Sequence, residues 1–313
     1  MEKPNVYTPG LLAILLLTTL FWGSSFAAAK YALAELAPLS LASLRFVISA
    51  LLYALVFLLA PRTRARIDRQ DWPGMIGLAM LGVTLHFWVQ YTAIAMTTAT
   101  NASLIIATSP LAVAILSSLL FRSRLGRNQL LGIIVSYAGV ILVVTKGSLS
   151  SLWDSGYLLG NGIMVLNAFG WALFTVLGGR MAGKYPPFAV AAWVGIIGAI
   201  GLLPLGLQAG LVTQLPQLSL AGWVAVLFLA TFCTVIGYAG WYYALARLDA
   251  SRTAAFQYLQ PLYTMILSSL LLAEAITWHI LLGGMLIVSG LVLAGRRHRG
   301  MVAAAETGEP CDS

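Results

Sequence analysis

His86 and Gln90 sit four residues apart in an aromatic, apolar stretch running from His86 to Tyr91, so a helix there carries an imidazole and an amide on one face. Two roles are open to His86: lining a polar pathway, or bonding across to a neighbouring helix. Trp22 and Trp171 each lie well inside an apolar run rather than at its ends, where tryptophans of membrane proteins collect. They could face one another across a cavity or fill a helical core. With Trp88, Tyr91, Tyr238 and Tyr242 nearby, the former arrangement gives aromatic walls able to stack on a flat ring or hold a cation. Asn101, Gln257 and Gln260 add amides near two prolines, Pro110 and Pro261, each of which frees a carbonyl one turn upstream. Paired interruptions of this kind either mark a binding site or simply shape helix packing. Arg45 is the one arginine inside an apolar run, placed either to snorkel outward or to meet a carboxylate, with a structural role favoured. No carboxylate lies at mid-run for a proton relay, so either His86 titrates during the cycle or the protein is a facilitator.

These residues need elements long enough to bury them. With 60% hydrophobic and 9% charged residues, the chain lies far outside soluble composition, where charge is about 25%. Apolar stretches near the ~20 residues that cross a bilayer fall at 11–31, 38–60, 73–95, 99–121, 127–145, 156–178, 186–206, 220–246, 252–272 and 278–295. The expectation is an all-α membrane protein of ten transmembrane helices. Residues 91–142 recur at 242–293 without a gap, most plainly as PLAVAILSSLL from Pro110 and PLYTMILSSLL from Pro261. The first repeat is expected over 1–147 and the second over 148–297, followed by a disordered tail over 298–313. Ala27–Ala29 resembles a signal-cleavage site, but removing the first run would leave unequal halves. Cys233 and Cys311 lie too far apart in setting for a disulfide framework or a metal cluster.

A net charge of +8 suggests nucleic acid in a soluble protein; here the basic residues mark one side of a membrane. With the amino terminus inside, every lysine and arginine except Lys30, Arg45 and Lys146 falls in a cytoplasmic segment. Five spans per repeat then force the second half upside down, giving two inverted five-helix repeats with both termini cytoplasmic. Arg122 to Arg124 agrees, because its counterpart in the second copy, Ala273 to Ala275, has no basic residue.

FWGSSF at Phe21–Phe26, LRF at Leu44–Phe46, the stretch from Tyr91 to Pro110, its echo from Tyr242 to Pro261, and Glu274 followed by GGMLIVSG together resemble the EamA-type transporters of the drug/metabolite transporter superfamily. The resemblance covers residues 10–297. It departs at Ser123, where that family has a second corner glutamate. It implies two inverted five-helix bundles around a central cavity and export of small metabolites, often amino acids.

Other classes fit poorly. No G-x-x-x-x-G-K-[ST] loop is present, which excludes an ATPase within this chain. The core offers one histidine and no nucleophile–base pair, which argues against an enzyme, and there is no filter motif for a channel. The expected function is secondary transport of amino acids or related metabolites across the inner membrane, with a drug or cationic-metabolite exporter as the alternative. No cofactor or nucleic acid is expected. Gly132 with Gly139, and Gly283 with Gly290, offer close-packing faces within a monomer-scale unit.

Overall fold

A computed structural model describes residues 8–121, 127–145, 156–248 and 250–295, and every regular element among them is helical. In chain order these are α1 (Pro9–Ala32), α2 (Pro38–Leu59), α3 (Trp72–Ala79), α4 (His86–Ala95), α5 (Ala99–Ile106), α6 (Ser109–Phe121) and α7 (Arg127–Val144). The second half contains α8 (Leu158–Lys184), α9 (Pro187–Gln208), the short α10 (Leu211–Gln214), α11 (Leu220–Phe228), α12 (Gly237–Leu245), α13 (Ala250–Ala255), α14 (Gln260–Leu272) and α15 (Trp278–Gly295). Among the described residues seven helical rods are long and apolar enough to cross a membrane, while α7 and α15 contain shorter apolar stretches, Leu130–Val143 and Trp278–Gly290. The expected tail over 298–313 with Cys311, and the residues Lys3, Arg122, Ser123, Arg124, Lys146, Arg296, Arg297 and Arg299, lie outside the described residues.

Local sequence sets where the rods begin. Pro9, Pro38 and Pro187 open α1, α2 and α9, where a missing N–H costs nothing because the first turn has no partner for it. Thr98 and Ser219 supply the side-chain acceptors that start α5 and α11, bonding the amides of Asn101 and Gly222 at 3.0 Å each.

Two pairs of corresponding helices from the two halves pack antiparallel against each other. Along the α2–α9 contact, Ser43 meets Gly206 and Tyr53 meets Gly195, so positions rise on one helix as they fall on the other. The same holds for α7 and α15. A Cβ on Gly139 would stand 2.6 Å from the Gly283 carbonyl oxygen, one on Gly290 would stand 2.5 Å from that of Gly132, and Ser136 Oγ donates to Ile287 O at 2.9 Å. The glycine faces expected from the sequence therefore pack against each other inside one chain, close enough for the backbones to touch.

Two long rods are wound differently at their centres. Met80–Leu85, between α3 and α4, and Leu229–Ile236, between α11 and α12, are π-helical, and the 151-residue offset carries the first onto the last part of the second. A π turn leaves carbonyls outside the usual ladder, and side chains from other rods take them. Ser49 Oγ donates to Ala230 O (3.0 Å), Trp22 Nε1 to Cys233 O (2.8 Å), Tyr53 OH to Thr234 O (3.1 Å) and Tyr238 OH to Gly82 O (3.1 Å). A second matched pair of interruptions lies at Ala107–Thr108, between α5 and α6, and at the 3₁₀ turn Phe256–Leu259 ahead of α14. Pro110 and Pro261 are each the second residue of the helix that restarts there.

Candidate functional site

Between the halves lies a narrow cavity whose free space, about 40 Å³, holds only a few waters at the ~10–15 Å³ each requires. Both halves build its wall. α1 contributes Trp22, Ser25 and Phe26, α2 contributes Arg45, and α4 contributes His86, Phe87 and Gln90. The remainder comes from Ile106 of α5, Trp171 of α8, Tyr238 of α12, Gln257 of the 3₁₀ turn and Gln260 of α14. His86, Phe87 and Tyr238 follow directly after the two π segments, so the irregular winding aims these rings inward.

Trp22 and Trp171 meet edge to face, ring centroids 5.3 Å apart and planes at 87°, instead of standing across an open gap. Each also takes part in packing. Trp22 leans on Trp241 at 5.1 Å, while Trp171 lies 4.9 Å from His86 and 5.0 Å from Phe174. Both proposed roles of the tryptophans, wall and core, therefore apply to the same rings. Gln257 is held by Ser109 Oγ, which donates to its Oε1 at 2.8 Å across the two paired interruptions. Thr264 Oγ1 donates to Gly23 O at 2.7 Å, drawing α14 against α1.

Arg45 does not snorkel outward; it is 2% exposed. Its Nε donates to Thr234 Oγ1 at 2.7 Å and its Nη1 to Tyr91 OH at 2.6 Å, and its Cζ sits 4.5 Å from the centre of the Phe87 ring. His86 is 4% exposed, and its Nδ1 has no hydrogen-bond partner among the described residues.

Other residues expected at the wall stand elsewhere. Tyr91 is behind it, holding Arg45. Asn101 is buried in the first turn of α5, where Thr98 Oγ1 accepts from its amide. Tyr242 is fully buried beside Phe174, its hydroxyl without a partner among the described residues. Trp88 is 43% exposed on the outer surface, because the side of α4 that presents His86 and Phe87 inward turns it away. Phe87 and Ile106 were not anticipated, though the repeat offset points to both: it pairs Phe87 with Tyr238 and Ile106 with Gln257.

Polar links fasten each end of the bundle. At one, Lys184 at the end of α8 bridges Asp68 (2.8 Å) and Asp71, and Tyr185 OH donates to Asp71. The hydrogen bond from Lys184 holds Asp68 below the usual carboxylate range, so this link is intact above that range and is lost as pH falls through the lowered value. At the other end Glu35, just past α1, accepts from Ser219 N (2.8 Å) and Ser219 Oγ (2.7 Å) at the start of α11. Lys30 Nζ donates there to the carbonyls of Ile94 and Thr97.

Two antiparallel, repeated helical halves with a polar–aromatic cavity between them define a multi-span membrane transporter. The chain belongs to the EamA-like transporter family, whose pattern matches it twice, over residues 8–145 and 158–296. It is 37% identical over 284 residues to an uncharacterized transporter of Archaeoglobus fulgidus, covering 90% of this chain and 95% of that one. A probable amino-acid metabolite efflux pump of Salmonella typhimurium is 29% identical over 294 residues, 91% of this chain and 93% of the pump. A solved crystal structure matches with a TM-score of 0.64 over 97% of this chain and all of that one; at 19% identity the likeness is one of fold alone.

Proposed function

We propose that this protein is a secondary carrier that exports amino acids or related small metabolites across the cytoplasmic membrane by alternating access. In this reading two five-helix halves, 1–147 and 148–297, supply ten spans with both termini in the cytoplasm. The carrying observation is that the cavity wall comes from both halves and lies at their paired interruptions, where transporters place substrate. A space of about 40 Å³ is too small for an amino acid, so the halves must part to load it. The amino-acid class is supported by the name of the Salmonella relative.

Sidedness is checked with reporter fusions after Arg69, Arg127, Lys184, Arg252 and Arg299, all of which are expected to report cytoplasm. A periplasmic signal at any two overturns the orientation. Carrier action is tested by counterflow in proteoliposomes. Exchange of an internal for an external amino acid should saturate with concentration, whereas flux linear in concentration would mean a pore, and no exchange across a panel of amino acids would remove the proposed substrate class.

A further inference from the structure

We infer that Arg45 receives the carboxylate of the transported molecule, so that the carrier takes small carboxylates, zwitterionic amino acids included, and rejects net cations. The inference rests on the carrier reading and narrows it. A guanidinium in a helical core is costly unless an anion compensates it. Here its hydrogen-bond partners, Thr234 and Tyr91, are both neutral. The described carboxylates are all occupied elsewhere: Asp68 and Asp71 by Lys184, Glu35 by Ser219, and Glu274 by Ala99 and Thr100. A guanidinium has five N–H donors, of which two hydrogen bonds are made among the described residues. The group nonetheless borders the cavity.

A second observation points to the same place. His86 borders the cavity beside Phe87, the ring over which Arg45 lies, and its buried Nδ1 is left without a partner among the described residues. A carboxylate has two oxygens. One can take the free N–H groups of Arg45, and the other can take Nδ1–H of His86 in the tautomer that carries its proton there. The rest of the wall has the amides of Gln90 and Gln260 and the rings of Trp22 and Trp171, which suit an ammonium or an apolar side chain of a zwitterion. It contains no carboxylate, so a net cation would enter beside an uncompensated positive charge.

The test uses the purified full-length protein and three probes matched in shape: 3-phenylpropionate, its neutral amide 3-phenylpropionamide, and phenethylamine. Binding is followed by quenching of tryptophan fluorescence, and exchange is followed in parallel in proteoliposomes. The acid should bind saturably, with the amide and the amine roughly ten- to a hundredfold weaker, the range of one lost charge-assisted hydrogen bond. Arg45→Met should bring acid and amide within about twofold of each other, while Arg45→Lys should keep part of the preference. Binding of the amine as tight as the acid, binding of no probe, or an Arg45→Met protein that still prefers the acid as strongly as wild type would each overturn the inference. If Arg45→Met does not fold, the wild-type series decides alone. Acid-selective binding without exchange would sink the carrier reading and leave Arg45 as an anion site, whereas saturable exchange of the amine would do the reverse.

Discussion

Trp22→Ala is expected to lower the melting temperature and weaken ligand binding together, a coupled loss that neither a pure packing role nor a pure binding role gives. Truncating a packed tryptophan costs about 3–5 kcal/mol. The indole N–H also satisfies the Cys233 carbonyl released by the π segment, and stranding that oxygen adds about 1–3 kcal/mol. Trp22→Phe keeps a ring without the donor and should recover most of the packing while leaving the carbonyl unpaired. Trp171→Ala removes packing against His86 and Phe174 and is expected to cost less stability than Trp22→Ala. Thermal unfolding with and without ligand separates the effects; a Trp22→Ala protein melting like wild type would show that the indole does not hold α1 to the π segment.

Glu274→Ala is expected to cost about 3 kcal/mol, the scale of a few partly solvated hydrogen bonds to a charged group. From the corner between α14 and α15 its carboxylate accepts from Ala99 N (2.8 Å), Thr100 N (3.1 Å) and Thr100 Oγ1 (2.6 Å), at the positive end of α5 in the other half. Glu274→Gln retains an acceptor and should lose less. Hydrogen exchange at the Ala99 and Thr100 amides reports the site directly: unchanged protection in Glu274→Ala would rule out the cap as what anchors α5.

The rods and their repetition were legible because lipid demands long apolar runs and leaves few other readings of 60% hydrophobic residues. Paired interruptions were legible as Pro110 and Pro261, which announce themselves by type. The π segments were not, since Met80–Leu85 and Leu229–Ile236 contain nothing that forbids α-helix; their winding comes from tertiary partners such as Tyr53 and Trp22. Trp88 needs no such partner to explain it: two residues beyond His86 it lies about 200° around α4, so the helical period alone turns it away from the face that carries His86 and Gln90. The role of Glu274, like the π winding, depends on tertiary contact. A corner carboxylate identifies a motif, but only the fold shows which helix start it meets. Arg45 was visible as a lone charge in an apolar run, and its two possible directions separate only once Tyr91 and Thr234 are seen to hold it inward.

The two fastenings at the ends of the bundle answer differently to ionic strength. Lys184 with Asp68 is an exposed ion pair, and mobile ions screen such attraction over distances of about 8 Å at physiological salt. Glu35 instead holds the amide and hydroxyl of Ser219, where its partners are dipoles with little charge for an electrolyte to mask. In the alternating-access reading proposed above, freeing one end of the bundle goes with closing the other. Added salt therefore weakens the fastening at the Lys184 end more than the one at Glu35, the first being an ionic clasp and the second a dipolar one.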